Sequence, residues 1–74
     1  PEIARKARVQ GIVIIEAIIN KNGDVTDVRV LRGLPMGVSE AAMEAVRKWK
    51  YRPATLNGRP VAVYLTVTVK FQLN

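Results

Sequence analysis

Few groups in this chain can do covalent chemistry. Its 74 residues include no histidine and no cysteine. That removes the commonest general base, the thiolate nucleophile and two side chains that often hold transition metals. Ser39 is the only serine, and its place ahead of a helical run reads as a cap. Asp24 and Asp27 border a turn and a strand, where paired carboxylates face solvent rather than a pocket. No catalytic residue, cofactor or metal site is expected, and the chain reads as a non-enzyme. What remains is recognition, either through cations or through backbone.

The cations are plentiful. Lys and Arg number 12 against 6 Asp and Glu, a net charge of +6, which favours anionic partners. Arg5, Lys6 and Arg8 sit near the start, while Arg47, Lys48, Lys50 and Arg52 surround Trp49 and Tyr51. A solvated surface accounts for the first group. The dipole at the C-terminal end of a helix accounts for much of the second. Trp49 and Tyr51 read as packing anchors.

The backbone signal is sharper. From Val61 to Asn74 every odd position is apolar (Val61, Val63, Leu65, Val67, Val69, Phe71, Leu73), and the even positions are mostly polar. Strict alternation marks a half-buried strand, rich in residues that suit a pleated surface. If straight, it spans roughly 40 Å. Apart from Lys70 it carries no charge, and no proline follows Pro60. Natural sheet edges are short, bulged or charged to prevent pairing. A border this long and this lightly guarded is expected to pair with another segment.

The remaining chain supplies what positions that strand. Pro1 to Arg8 has helix-start chemistry, with proline first and Glu2 in the first turn. Val9 to Asn20 is a β-branched run expected to be paired on both edges and covered on at least part of both faces. Gly11 within it marks a bulge or a close backbone approach. Glu16, its one charge, is expected to point outward. Asn20-Lys21-Asn22-Gly23-Asp24 is a tight turn, followed by a strand from Val25 to about Arg32 with Val28 and Val30 inward and Asp27 and Arg29 outward. Gly33 to Gly37 breaks the chain. A helix then runs on Val38, Ala42, Ala45, Val46 and Trp49, with Ser39 as its cap. Leu56 to Pro60 is a turn feeding the last strand. The order is α-β-β-α-β, an α+β fold in one domain over residues 1–74. Two helices are expected on one face of a three-stranded antiparallel sheet of order 2-1-3, over the odd residues of the last strand. No apolar run reaches the length of about 20 residues that spans a bilayer. The start at Pro1 fits an excised domain with any targeting segment upstream.

Several of these stretches coincide with one family. Gly11-Ile12-Val13-Ile14-Ile15, Asn22-Gly23-Asp24-Val25, Glu40-Ala41-Ala42-Met43-Glu44-Ala45, Trp49-Lys50-Tyr51-Arg52-Pro53-Ala54, Asn57-Gly58-Arg59-Pro60-Val61 and the closing Val69-Lys70-Phe71 together resemble the C-terminal domain of TonB-type energy transducers. The specific part is Trp-x-Tyr-x-Pro-Ala followed by Asn-Gly-x-Pro-Val. The opening Pro1-Glu2-Ile3-Ala4-Arg5 is similar to the second half of the family's Tyr-Pro-x-x-Ala. The resemblance implies a periplasmic domain, tethered upstream through a proline-rich linker to the inner membrane and an ExbB/ExbD-like motor. It implies capture of the TonB box peptide of a TonB-dependent outer-membrane receptor, for uptake of iron complexes or vitamins. The pairing residues it implies are Leu65, Thr66, Val67, Thr68, Val69, Lys70, Phe71, Gln72 and Leu73. Thr66, Thr68, Lys70 and Gln72 would read the peptide, Lys70 either favouring acids near the box or guarding the edge against aggregation. Val67→Pro is expected to abolish pairing by removing a ladder donor and disturbing the backbone. A second receptor contact of the family precedes the first helix and falls before Pro1.

Three other readings compete with this one. A nucleic-acid module is motivated by the charge and the aromatics near Trp49, but the strands lack a ladder of aromatics for stacking bases. No nucleic acid is expected. A cell-wall-binding module draws on the same charge. A self-associating envelope domain, a homodimer by strand pairing, would use the same open edge.

Overall fold

The computed structural model describes residues 1–72. Its elements are α1 (Glu2–Lys6), β1 (Gly11–Ile19), β2 (Val25–Arg32), α2 (Val38–Arg47), β3 (Ala54–Leu56), β4 (Arg59–Val61) and β5 (Val63–Phe71). The main sheet has order β2-β1-β5, and β1 is antiparallel to both neighbours. The expected two helices and 2-1-3 sheet are therefore present. A second, two-stranded sheet of β3 and β4 was not foreseen.

β1 is central because its residues tolerate burial on both edges. Val13, Ile15, Ala17 and Ile19 are buried, and they share one core with Ala4 of α1 and with Val38, Ala42 and Val46 of α2. Val28 and Val30 of β2 pack against that core, as the alternation required. Asp27 and Arg29 are exposed. Glu16 is not simply solvated: it lies opposite Arg29 and accepts from its guanidinium at 3.0 Å. Gly11 is the close approach rather than the bulge. It pairs in register with Phe71 at φ 144°, and a Cβ there would meet Leu34 at 3.1 Å.

Three expectations need correction. The final strand is not continuous from Val61, because Ala62 interrupts it and Arg59–Val61 pairs with Ala54–Leu56. The turn is Asn57-Gly58 alone, with φ of 52° and 80°, the pair of positive values that a two-residue hairpin loop requires. Second, Gly37 caps α2, at φ 82° and without a side-chain bond. Ser39 lies one step inside, nearly buried, where its hydroxyl accepts from Leu34 N–H at 2.8 Å and donates to Leu34 C=O at 2.9 Å. It ties the preceding loop to the helix. Third, α2 packs against β2 and β1 rather than over β5, so the odd side chains of β5 are only half-buried.

Candidate functional site

The site is a border of the sheet, and its chemistry depends on which backbone groups point outward. In a strand, one residue's N–H and C=O point to the same side and the next residue's to the other. Two contacts set the phase of β1. Asn20 N–H donates to Asp24 C=O at 2.8 Å, and Thr26 Oγ1 donates to Ile18 C=O at 3.4 Å. Even-numbered residues of β1 therefore face β2, and odd ones face β5. The β1–β5 register runs unbroken from Gly11↔Phe71 to Ile19↔Val63. Val63, Leu65, Val67, Val69 and Phe71 are thus bonded inward to β1. Tyr64, Thr66, Thr68 and Lys70 aim their N–H and C=O groups at the outer edge. Among the described residues no strand pairs with that edge.

The hairpin extends the same border. A two-residue loop is closed by a hydrogen-bonded pair, here Leu56 with Arg59, so Thr55↔Pro60 is a non-bonded pair and Ala54↔Val61 a bonded one. The odd residues Arg59 and Val61 thus face β3, just as Val63 faces β1. Burial alternates without a break through Val61, Ala62 and Val63. β3 and β1 consequently line one side of a nearly continuous β4–β5 strand, and Ala62 sits in the gap between them. Among the described residues no strand pairs with the other side from Pro60 to Lys70.

The expected pairing residues divide accordingly. Leu65, Val67, Val69 and Phe71 hold β5 to β1 and present half-buried side chains toward the helices. Thr66, Thr68 and Lys70 are exposed and carry the outward backbone. Gln72 is exposed beyond the strand end, beside the shallow groove formed with Gln10, Gly11, Ile12, Lys70 and Phe71. Leu73 lies outside the described residues. Tyr64 and Ala62 belong to the open side and were missed, although the alternation from Val61 already assigned them the outward parity. Tyr64 is 72% exposed. The ladder donor that Val67→Pro would remove bonds to β1 and not to the outer edge.

Most cations of the aromatic and cationic cluster have acidic neighbours. Arg47 and Lys48 both reach Glu44, at 3.6 and 3.9 Å. Lys50 meets Asp24 at 2.6 Å. Two local carboxylates, Glu44 and Asp24, thus pair with three of its four cations. Trp49 is 43% exposed rather than a core anchor. Tyr51 does pack on the core; its ring centroid lies 6.1 Å from that of Trp49, tilted by 56°. Its hydroxyl is buried without a partner among the described residues, and lost hydration raises its pKa. Lys70, by contrast, has no acidic partner among the described residues. No group of His, Cys, Asp or Glu that could hold a metal occurs among them. Among the described residues no helix is long and apolar enough to cross a membrane.

Comparison with known proteins shows the family of the chain. The family model described as Gram-negative bacterial TonB protein C-terminal matches residues 1–73. Protein TonB of Xanthomonas campestris pv. campestris (strain B100) is 41% identical over 75 aligned positions, covering 100% of this chain and 34% of the relative. Protein TonB of Vibrio cholerae serotype O1 is 31% identical over 74 positions, covering 99% of this chain and 30% of the relative. Protein TonB of Klebsiella aerogenes is 32% identical over 75 positions, covering 100% and 29%. The chain thus spans about a third of the length of these curated relatives.

Proposed function

The chain belongs to the family of TonB C-terminal domains, and from that premise we propose that it is the receptor-binding domain of a periplasmic energy transducer. Its outer edge at β5 takes up the TonB box of a TonB-dependent outer-membrane receptor as an additional strand. An upstream segment tethers it to the inner membrane and an ExbB/ExbD-like motor, whose proton-driven work reaches the receptor and admits a nutrient. The domain acts by binding and not by catalysis. One observation carries this reading: among the described residues no strand pairs with the outward N–H and C=O groups of Tyr64, Thr66, Thr68 and Lys70. Strand addition draws affinity from such groups and selectivity from alternate side chains. Here the incoming strand meets half-buried apolar residues on the helix side and threonines with Lys70 on the other. A second copy of the chain would find the same groups, and sedimentation over a concentration series reads that competition.

The test exploits parity. Thr68→Pro removes an outward donor and leaves the β1–β5 ladder intact. It should weaken binding of a receptor N-terminal peptide by at least about tenfold, with stability within about 1 kcal/mol of wild type. Val67→Pro breaks the internal ladder and should cost about 3 kcal/mol or more. Calorimetric titration and urea unfolding measure the two effects. Wild-type affinity in folded Thr68→Pro would count against the pairing edge.

A further inference from the structure

The open border has one irregular position. Pro60 is exposed and faces outward, opposite Thr55 in the non-bonded pair of the β3–β4 hairpin. The hairpin loses nothing by it, since no ladder bond is required of that nitrogen. On the other side, the ring Cδ takes the place of the amide hydrogen and points into the space a next strand would occupy. From there toward the C-terminus, the outward positions Ala62, Tyr64, Thr66, Thr68 and Lys70 all retain their N–H. The edge is therefore continuous and receptive along β5, and it closes abruptly where the hairpin begins.

We propose that Pro60 is a register stop that sets how long a segment the edge accepts and where it ends. This rests on the pairing-edge reading above and adds a length limit to it. The partner class is an extended segment whose paired portion runs about nine residues, the distance from Ala62 to Lys70. A strand that slid further toward the hairpin would meet the ring and leave its own carbonyl without a donor, a desolvated group that costs more than a bond not made. A one-residue slip would also exchange the partner's two faces, which differ in polarity here. The stop therefore restricts registers as well as length.

The experiment measures affinity against length, using synthetic peptides of alternating valine and threonine, from about seven to about thirteen residues. The intact 74-residue chain is compared with Pro60→Thr and Ala62→Pro. Wild-type affinity should climb with length and then level off. With Pro60→Thr the plateau should come about two residues later, and the longest peptides should bind roughly threefold tighter or better. With Ala62→Pro it should come about two residues earlier. Both positions are exposed and neither N–H serves the β1 ladder, so protection of the Val13 and Ile15 amides reports folding. Should one variant fail to fold, the other still shifts the plateau in its own direction. Coincident plateaus overturn the register stop and leave the pairing edge standing. Absence of binding by wild type at every length overturns both.

Discussion

Tyr51 illustrates how a residue can be held for its ring and tolerated for its oxygen. The ring packs on the core, while the hydroxyl is buried without a partner among the described residues. An unsatisfied buried hydroxyl costs free energy that a phenylalanine would not, so Tyr51→Phe should raise stability by about 1 kcal/mol at neutral pH. The same burial gives a pH signature. The folded-state pKa is raised above the ordinary value of 10.0, so the unfolded chain gives up this proton first. The hydroxyl then leaves stability unchanged below pH 10 and lowers it as pH climbs from 10 through the raised value. Urea midpoints measured across that range should fall less steeply for Tyr51→Phe. Parallel slopes would show that the hydroxyl is hydrated after all. Ser39 is a contrasting case: the residue type announced a helix start, but its hydroxyl is spent on both backbone groups of Leu34.

At the scale of elements, the Asn20–Asp24 turn does more than reverse the chain. Asn20 Oδ1 accepts from the N–H groups of Asn22 and Asp24, both at 2.9 Å. Tyr51 N–H then donates to Gly23 C=O at 2.9 Å, and Lys50 reaches Asp24. The turn is thereby clasped to the segment leaving α2. Gly23 is required twice, by its φ of 87° and because a Cβ would overlap the Tyr51 carbonyl oxygen. Gly58 has a similar φ of 80° and open space around it. Gly23→Ala should therefore cost more than about 2 kcal/mol, and Gly58→Ala only about 1 kcal/mol for the strained conformation. Equal costs in chemical denaturation would mean that the clasp yields freely. The two sheet borders differ in the same physical terms. β2 is bulged at two places in its pairing with β1, which discourages added strands, whereas the register of β5 has no such break.

For the whole molecule, the net charge of +6 raises the question of whether charge or backbone selects the partner. Five ion pairs involve these cations among the described residues, and three of them lie in the cluster near Trp49. Backbone pairing is insensitive to screening, while phosphate contacts release counterions. A roughly tenfold rise in salt should change receptor-peptide affinity by less than about threefold and weaken oligonucleotide binding by more than tenfold. Fluorescence anisotropy on both ligands measures the contrast, and a steep slope for the peptide would move recognition from the edge to Lys70 and its neighbours. The sequence by itself determined the order of the two helices and the three long strands, the 2-1-3 order of the main sheet, the inward and outward residues of β2 and β5, and the family. These depend on local periodicity and turn chemistry, which neighbouring residues carry. The tertiary structure alone decided that α2 leans over β2, that Ala62 divides the last strand, and that the even-numbered amides face the open border. Each depends on which distant segment occupies the space beside a residue: β3 beside Val61, β1 beside Val63, and no described strand beside Thr66 or Thr68. Alternation along a strand names two faces and two sides, but only a packed neighbour determines which side is left for a partner.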